Sequence, residues 1–259
     1  VALLDPHGDL AERVLDYIPA RRINETIYFD PSDSELPIAF NPLSWSDPRQ
    51  RNLVASGLVQ VFKKIWSDSW GPRLEYVLRN TLLALLEEKG HTLLAVMRML
   101  VDDNFRARTV KGIKDPMVRH FWVMEFEGYP KVFRTETISP IQNKVGQFLS
   151  NPLIRNIVGQ PKTRFDLSEV MNNGGILIMN LSKGRIGEDN SSLLGSLMVT
   201  QLYLAALRRS TMEESERRDF YLYIDELQSF ITEDFPSILS EARKYRLNIA
   251  GMANQFISQ

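Results

Sequence analysis

The segment that most restricts the fold is FYLYIDELQSF, which covers residues 220–230. In it, five uncharged residues from Phe220 to Ile224 are followed directly by two carboxylates, Asp225 and Glu226. An uninterrupted apolar run of this length is typical of a central strand in a parallel sheet, where both faces of the strand are buried. Open parallel sheets bind ligands beyond the carboxyl ends of their strands. The sequence therefore predicts a binding site at Asp225 and Glu226.

Four more apolar segments favour the same type of sheet. They cover residues 1–4, 26–29, 176–181 and 247–252, and helical patterns lie between them. Five strands with intervening helices predict an α/β fold with a doubly wound, mostly parallel sheet. We also expect the first two strands to pair in parallel, because a short helix with Asp9 as its N-cap joins them.

Residues 44–164 interrupt the α/β pattern with helical periodicity. Their apolar residues recur at spacings of three and four, as in Leu74–Leu85, and proline and glycine divide the region into many helices. We therefore expect three parts along the chain. Residues 1–43 form the first part of an α/β core, residues 44–164 form an all-α insertion, and residues 165–259 form the second part of the core.

The composition excludes several classes of protein. With 259 residues, of which 44% are hydrophobic, the chain can bury a substantial core. It contains no cysteine, which excludes disulfides and thiolate metal sites. No apolar run approaches the roughly 20 residues that a membrane-spanning helix needs. The formal net charge is -1, so any binding partner has to be inferred from local charge.

Two adjacent carboxylates can divide the work of phosphoryl transfer. Asp225 would hold Mg²⁺, directly or through water, while Glu226 orients or deprotonates the attacking water. Asn254 and Gln255 follow the next strand, where an amide can contact a γ-phosphate. Simpler interpretations remain open, since Asp225 can be a helix N-cap and Asn254-Gln255 can form a turn.

The cationic segment EARKYRLN lies between these two motifs, at residues 241–248. One interpretation is that an arginine of this segment neutralises charge on the phosphoryl group that is transferred in a neighbouring subunit. The other is that Arg243, Lys244 and Arg246 interact with the negative end of a helix dipole. The sequence alone leaves both interpretations open.

The phosphate-binding loop that such a site needs is absent from these residues. The motif G-x-x-x-x-G-K-[ST] does not occur, nor does any Gly-Lys dipeptide. Gly174-Gly175 is followed by a strand rather than a helix, so it cannot replace this loop. Because Val1–Leu4 has the pattern of a buried strand from its first residue, we expect the loop to precede Val1.

A metal-dependent phosphoesterase is a different interpretation of the first residues. Asp5 and His7 form a D-x-H pair that resembles metal ligands at the end of a strand. Binuclear sites of this type need further ligands, and the other histidines, His91 and His120, lie in the helical region without a partnering pattern. The sequence therefore favours a turn for Asp5-Pro6-His7.

Several segments together resemble a known family. The family is that of the conjugative coupling proteins of type IV secretion, the TraD/TraG type, within the HerA/FtsK superfamily of RecA-like ring motors. In chain order, the segments are LLDPHGDL, IYFDP, AFNPL, SPIQNKVGQFLSNP, FDLSEVMNNGGILIMNLSKGRIGED, YLYIDELQSF, ARKYRLNIAG and ANQFISQ. The resemblance extends over nearly the whole chain.

The resemblance implies a RecA-like P-loop NTPase core, with its P-loop strand missing from this chain, and a large all-α insertion. It implies ATP and Mg²⁺ as cofactors, and it places the Walker A strand and loop immediately before the strand that contains VALLD. Asp225 and Glu226 match the Walker B carboxylates, and Gln255 matches the sensor on the following strand. Arg243 matches the position of an arginine finger, and Asp5 lies near the expected nucleotide.

The resemblance also implies a function and partners. The intact protein would be a hexameric ATPase that moves DNA or nucleoprotein through a type IV secretion channel, at the cytoplasmic face of the membrane. Relaxase, the relaxosome and channel proteins would be its partners, and these residues would be inactive alone without Walker A. Two alternatives stay open: a soluble HerA/FtsK-like translocase or helicase, and a non-enzymatic adaptor that recruits substrates.

A DNA motor should present basic residues to its channel. Residues 131–164 contain six lysines and arginines against one acid, Glu136. Another basic turn follows the strand 176–181. The candidate DNA contacts are Lys131, Arg134, Lys144, Lys183 and Arg185. An ordinary solvated surface remains the alternative for these residues.

Overall fold

The structure is a computed structural model that describes residues 1–252. The chain forms two compact units. One contains Val1–Ile38 together with the described residues from Arg164 onward, and the other is Ala39–Thr163. We term them the α/β unit and the helical unit.

The α/β unit is built on one sheet, which has five strands within residues 1–252. In chain order the strands are β1 (Ala2–Asp5), β2 (Thr26–Phe29), β3 (Ile176–Asn180), β4 (Phe220–Ile224) and β5 (Leu247–Gly251). Their order in the sheet is β2-β3-β1-β4-β5, and every neighbouring pair is parallel. The prediction of a mostly parallel sheet is confirmed.

Helices connect these strands and form most of the helical unit. The helices are α1 (Asp9–Leu15), α2 (Arg51–Ile65), α3 (Pro72–Leu86), α4 (Leu93–Val101), α5 (Asp103–Gly112), α6 (Pro116–His120), α7 (Lys131–Ser150), α8 (Pro152–Val158), α9 (Leu167–Asn172), α10 (Lys183–Ile186), α11 (Glu188–Leu207) and α12 (Phe235–Ala242). Helices α2–α8 belong to the helical unit, and the others belong to the α/β unit.

Strand β4 differs from its prediction in burial. Its Phe220, Leu222 and Ile224 are buried, but Tyr221 and Tyr223 are 44% and 43% exposed. Side chains alternate between the two faces of a strand, so one face of β4 is uncovered within residues 1–252. The prediction that both faces are buried was therefore wrong. Aromatic residues on the open face gave β4 the apolar composition of a fully buried strand.

The connection between β1 and β2 also differs from its prediction. The two strands are parallel, but β3 lies between them and pairs with both. The N-cap of α1 is Gly8 rather than Asp9. Helix α1 packs on β1 and β3 through a small core that includes Leu3, Ala11 and Ile178. Because Ile178 arrives from a distant part of the chain, the local pattern could not show this pairing.

The helical unit contains a buried aromatic cluster and a buried, hydrogen-bonded asparagine. Phe121, Trp122 and Phe126 form a buried cluster on a single π-helical segment that follows α6. The buried Asn41 donates to the carbonyls of His91 at 2.9 Å and Pro161 at 3.1 Å, which ties both ends of the unit together. Within residues 1–252 no helix combines the length and apolarity needed to cross a membrane.

Candidate functional site

The two predicted carboxylates lie at the carboxyl edge of the sheet, directly after β4. The Asp225 amide donates to the Leu4 carbonyl of β1 at 3.0 Å, which keeps Asp225 in line with the strand. Glu226 then adopts a left-handed conformation with φ 50° and ψ 57°. Non-glycine residues rarely adopt this conformation, and strained residues of this kind cluster at functional sites. The chain therefore turns sharply at Glu226, beyond the end of the sheet.

The Glu226 carboxylate is partly enclosed by neighbouring side chains. Only 14% of its side chain is exposed, and its Oε1 lies 3.9 Å from Nε2 of His7, which follows β1. The Gln228 amide donates to Glu226 Oε2. These contacts restrict the carboxylate to one region at the sheet edge. A carboxylate held in this way can accept a proton from, or orient, a water molecule at the same edge.

Helix α11 supports the segment that follows Glu226. The Ser192 hydroxyl donates to the Ser229 carbonyl at 2.9 Å, and the Ser196 hydroxyl donates to the Phe230 carbonyl at 2.9 Å. Gly195 lies on the same face of α11, where the ring of Phe230 approaches the helix closely. The small residues Ser192, Gly195 and Ser196 of α11 thus contact the turn after Glu226. This face of α11 could not be identified from the sequence, because its significance depends on a contact between distant segments.

Asp225 has the chemistry of a Mg²⁺ ligand. Its Oδ1 accepts a hydrogen bond from the Glu226 amide at 3.1 Å, and its other oxygen has no hydrogen bond within the described part of the chain. In residues 1–252, no three His, Asp or Glu side chains lie together as a protein-only metal site. Mg²⁺ usually takes one or two carboxylates and completes its shell with water and phosphate oxygens. Asp225 therefore fits a metal that arrives with a nucleotide.

Asp5 shapes the turn after β1. It is fully buried, and its two carboxylate oxygens accept from the amides of His7 and Ala11, each at 2.8 Å. A buried carboxylate needs such donors, and here they belong to the turn and the first turn of α1. The contact predicted between Asp5 and a nucleotide stays a prediction. The observed bonds explain why an aspartate ends β1, without a metal ion.

Asn180 ends β3 at the same edge and was not identified from the sequence. It is 1% exposed, its amide donates to the Tyr28 hydroxyl at 2.9 Å, and its Oδ1 accepts from the Ser182 amide at 3.2 Å. A Cβ at Gly8, where φ is +93°, would lie 2.6 Å from this Oδ1. Gly8 thus lets the turn after β1 approach Asn180. A polar residue at a strand end was the only available signal.

Strand β5 lies beside β4, as the proposed sensor requires. The Met252 amide donates to the Ile224 carbonyl at 2.9 Å, and the Leu227 amide donates to the Met252 carbonyl at 2.9 Å. The segments that leave the two strands are therefore still adjacent at Met252. Gln255, the predicted sensor, and Asn254 lie outside the described residues, so their role stays a prediction.

Arg243 lies at the opposite, amino edge of the sheet. It follows α12 and precedes β5, whereas Glu226 follows the end of the neighbouring strand β4. The five residues of β4 span roughly 16 Å, at about 3.3 Å per residue. Arg243 therefore cannot reach Glu226 of its own chain. Any contact with a nucleotide at Glu226 would have to come from another copy.

The structure distinguishes Arg243 from the two cations beside it. Lys244 pairs with Glu241 at 2.7 Å, and Arg246 lies 3.6 Å from Asp219. Arg243 is exposed, and within residues 1–252 its guanidinium has no ion pair or hydrogen bond. Of the three, Arg243 is thus the one whose charge is available to a group outside the chain.

Two of the candidate DNA contacts lie in the α/β unit and have carboxylate partners. Arg185 pairs with Glu12 at 2.6 Å and lies 3.7 Å from Asp30. Lys183 lies 3.5 Å from Glu188, and its amine donates to the Ser229 hydroxyl at 3.1 Å. Lys183 therefore supports the segment after Glu226.

The other three candidates lie on α7 of the helical unit. Arg134 donates to the carbonyls of Phe126 and Glu127 at 3.0 Å and 2.9 Å, which ties α7 to the preceding segment. Lys144 donates to the Ser69 hydroxyl. Lys131 is exposed and has no side-chain hydrogen bond or ion pair in the described chain. Lys131 is therefore the candidate on α7 whose charge is free to bind phosphate.

Solved structures with a similar fold include those of a bacterial conjugative coupling protein, TrwB. An unbound form, TrwBdeltaN70, matches with a TM-score of 0.62 and 16% identity, over 97% of this chain and 55% of that chain. The complex with the non-hydrolysable ATP analogue ADPNP matches with a TM-score of 0.58 and 17% identity, over 97% and 56%. The complex with ADP and Mg²⁺ matches with a TM-score of 0.60 and 16% identity, over 96% and 55%.

No protein-family model and no curated protein matches the chain. The chain spans about 55% of the length of the TrwB structures. At this level of identity the comparison establishes the fold and not the activity. The predicted fold class, a RecA-like α/β core with a large all-α insertion, is confirmed, and so is the resemblance to a conjugative coupling protein at the level of fold. The chain has the RecA-like fold of the coupling protein TrwB.

Proposed function

We propose that this chain is part of an ATP-driven DNA motor of the conjugative coupling type. The observation that carries the proposal is the placement of Asp225 and Glu226 after β4, with Glu226 in a left-handed turn at the carboxyl edge of a RecA-like sheet. TrwB structures of the same fold contain ADPNP or ADP and Mg²⁺, which supports a nucleotide as the ligand.

In this function each residue has a separate task. Asp225 would hold Mg²⁺, and the ion would supply positive charge to the phosphates of a bound nucleotide. Glu226 orients the attacking water and accepts its proton, while His7 and Gln228 restrict the carboxylate. Gln255, which follows β5 in the sequence, would contact the γ-phosphate.

The remaining parts of the function need a separate phosphate-binding segment, a neighbouring copy of this chain and DNA. The sequence has no phosphate-binding loop, so a separate segment has to hold the β- and γ-phosphates. Arg243, which lies at the opposite edge of the sheet from its own Glu226, acts on the nucleotide of a neighbouring copy in a ring. The moved substrate is DNA, which Lys131 contacts through its phosphates, and relaxosome and secretion-channel proteins are the partners in conjugation.

The test is Glu226→Gln in a protein that carries these residues together with a phosphate-binding loop. Turnover of ATP in the presence of DNA should fall by about 10²–10⁴-fold, because the amide cannot accept the proton of the water. ATP binding, measured by equilibrium dialysis, should be retained. The matched control is Glu216→Gln, which alters an exposed glutamate of the same unit and should leave turnover unchanged.

Two results would contradict the proposal. Unchanged turnover in Glu226→Gln would remove Glu226 from catalysis. Binding of ATP by the wild-type protein with no turnover, with or without DNA, would instead indicate a non-enzymatic adaptor.

A further inference from the structure

Two arginines hold the backbone of the turn that follows Arg243. This turn, Arg243–Tyr245, is a single turn of 3₁₀ helix between α12 and β5. Arg209 donates through Nη1 to the Tyr245 carbonyl at 2.9 Å, and Arg217 donates through Nη1 to the Lys244 carbonyl at 2.9 Å. Both arginines come from the connection between α11 and β4. The two carbonyls immediately after Arg243 are thus each fixed by a guanidinium.

Arg209 is a buried cation, which is an unusual residue for a hydrogen bond that only supports the backbone. It is 1% exposed, and its other bonds go to Asn172 Oδ1 and the Arg218 carbonyl, both at 2.9 Å. Its Nη2 is buried and has no hydrogen bond within the described residues. Burial, with a smaller contribution from Arg217, lowers the pKa of Arg209. A buried guanidinium without a carboxylate partner is costly, so its contacts have to offset a substantial penalty.

Arg217 completes the support from the outer side of the turn. It donates through Nε and Nη2 to the Met212 carbonyl at 3.2 Å and 2.8 Å, and its guanidinium lies 5.6 Å from the centre of the Tyr245 ring. Arg246 follows in a left-handed conformation with φ 58°, and its carbonyl accepts from the Phe220 amide at 2.9 Å. The turn is therefore attached to the first residue of β4 as well.

We propose that Arg209 and Arg217, which we term the carbonyl clamp, position Arg243 for a nucleotide bound to a neighbouring copy. The inference rests on the proposed function and names two positioning residues for it. The Arg243 side chain has no hydrogen bond or ion pair within residues 1–252, so its direction depends on the backbone that carries it. A charge that acts across an interface contributes most when its position is set before binding, because ordering it later costs entropy.

The clamp can be tested by mixing variant subunits. Glu226→Gln subunits lack the catalytic carboxylate but present an intact Arg243, whereas Arg243→Ala subunits have the reverse defect. In a randomly mixed ring, about a quarter of the interfaces then combine an intact Glu226 with an intact Arg243. Turnover of this mixture should exceed that of either variant alone. This pair is the reference for the clamp variants.

The clamp variants are Arg217→Ala and Arg209→Lys, in the full protein with its phosphate-binding loop. Arg209→Lys keeps the charge but cannot form all the bonds of the planar guanidinium. Each variant alone should lower kcat by about 10-fold or more, with little change in KM for ATP. The matched control is Arg218→Ala, whose guanidinium contacts the Asn173 carbonyl and not the turn. It should retain wild-type turnover.

The mixtures distinguish a variant that has lost only the position of Arg243 from a variant whose structure is generally disturbed. If the clamp acts through Arg243, Arg217→Ala subunits should regain turnover when mixed with Glu226→Gln subunits, and should regain none with Arg243→Ala subunits. Recovery in the second mixture, or no recovery in the first, would overturn the clamp. Circular dichroism checks that each variant is folded, and Arg217→Ala remains decisive if Arg209→Lys does not fold.

The reference pair distinguishes failure of the clamp from failure of the proposed function. If Glu226→Gln and Arg243→Ala each keep full turnover, the proposed function is wrong. If this reference pair complements and the Arg217→Ala mixture does not, only the clamp is wrong.

Discussion

Replacing Gly195 by alanine would test how tightly α11 holds the turn after Glu226. A Cβ at this position would lie 2.2 Å from Cδ1 and 2.3 Å from Cε1 of Phe230, and 3.0 Å from Cδ1 of Leu181. Real Cβ atoms essentially never approach other atoms within 3.0 Å. Phe230 is 1% exposed and cannot rotate into solvent. The added methyl group therefore has to displace the ring, the helix or both.

The sign of the effect follows from two opposing contributions. Overpacking a dense core destabilises a protein by about 1–3 kcal/mol. Replacing a glycine inside a helix by alanine stabilises it by about 0.5–1 kcal/mol. The overlap with an immobile ring is severe, so the first contribution should dominate. We expect Gly195→Ala to lower the free energy of unfolding of the α/β unit by about 1–2 kcal/mol.

The displacement should also reach Glu226. Phe230 lies four residues after Glu226, and its carbonyl accepts from the Ser196 hydroxyl on the same face of α11. A ring that moves away from α11 stretches this bond and shifts the turn. A displacement of about 1 Å at a catalytic group can lower turnover by about 10²-fold. If the proposed function holds, Gly195→Ala should lower ATP turnover in a folded protein that carries these residues together with a phosphate-binding loop.

The matched control is Gly146→Ala in α7, where the nearest atom to the new Cβ is Cε of Met97 at 3.8 Å. This is an ordinary contact, so only the gain in helix propensity remains, and stability should rise by about 0.5–1 kcal/mol. All four tryptophans lie between residues 45 and 122, within the helical unit, so their fluorescence in urea reports on the control. Hydrogen exchange of peptides from α11 and β4 reports on Gly195→Ala.

A double-mutant cycle tests the contact between Gly195 and Phe230 without relying on the absolute free energy of unfolding of any one variant. Phe230→Leu replaces the ring by a smaller side chain, so it should cost less stability in the Gly195→Ala background than in the wild type. The reasoning fails if Gly195→Ala stabilises the α/β unit as Gly146→Ala stabilises the helical unit, or if the two changes at Gly195 and Phe230 are additive.

Two further predictions concern the helical unit. Burial lowers the pKa of His91, so the unfolded chain takes up its proton first as the pH falls below about 6.5, and urea midpoints should drop between about pH 7.5 and pH 5.5. The His91→Gln variant should lose this part of the pH dependence, and the exposed His120→Gln should keep it. Arg106→Ala should lower stability by about 2 kcal/mol, because the buried guanidinium pairs with Glu127 at 3.0 Å and binds carbonyls at the end of α4. Arg108→Ala, on the exposed face of the same helix, should change the unfolding free energy by less than about 0.5 kcal/mol.

Local patterns in the sequence were enough to locate the strands of the sheet. β2 and β4 begin and end at the predicted residues, because turn residues such as Asp30-Pro31 and the pair Asp225-Glu226 follow them directly. The pairing of β1 with β3 could not be predicted in the same way. Leu3 pairs with Ile178, and the residues of the helical unit lie between them in the sequence. A local hydrophobic periodicity carries no information about such a distant contact.

The chemistry of the site was predictable to the extent that it is local. Asp225 and Glu226 are adjacent in the sequence and end an apolar strand, so their position at the sheet edge followed. The conformation of Glu226 was not predictable, because the segment after it bonds to α11 and to Met252, which are distant from it in the sequence. The availability of Arg243 also depends on the fold, since acids at residues 219 and 241 neutralise its two cationic neighbours.

The placement of Arg243 and Glu226 at opposite edges of one sheet constrains how copies can assemble. If Arg243 serves a nucleotide at Glu226, the amino edge of one copy has to meet the carboxyl edge of the next. Such a contact joins two different surfaces, so each copy both gives and receives an arginine, and the contact repeats from copy to copy. Repeated contacts of this type produce a closed ring when the rotation between copies closes, and an open filament when it does not. The proposed role of the carbonyl clamp follows from the same arrangement of the two sheet edges. A nucleotide at Glu226 of the same chain would lie at the opposite edge and could not order this turn, so contacts within the chain are what set its position before a neighbouring copy binds.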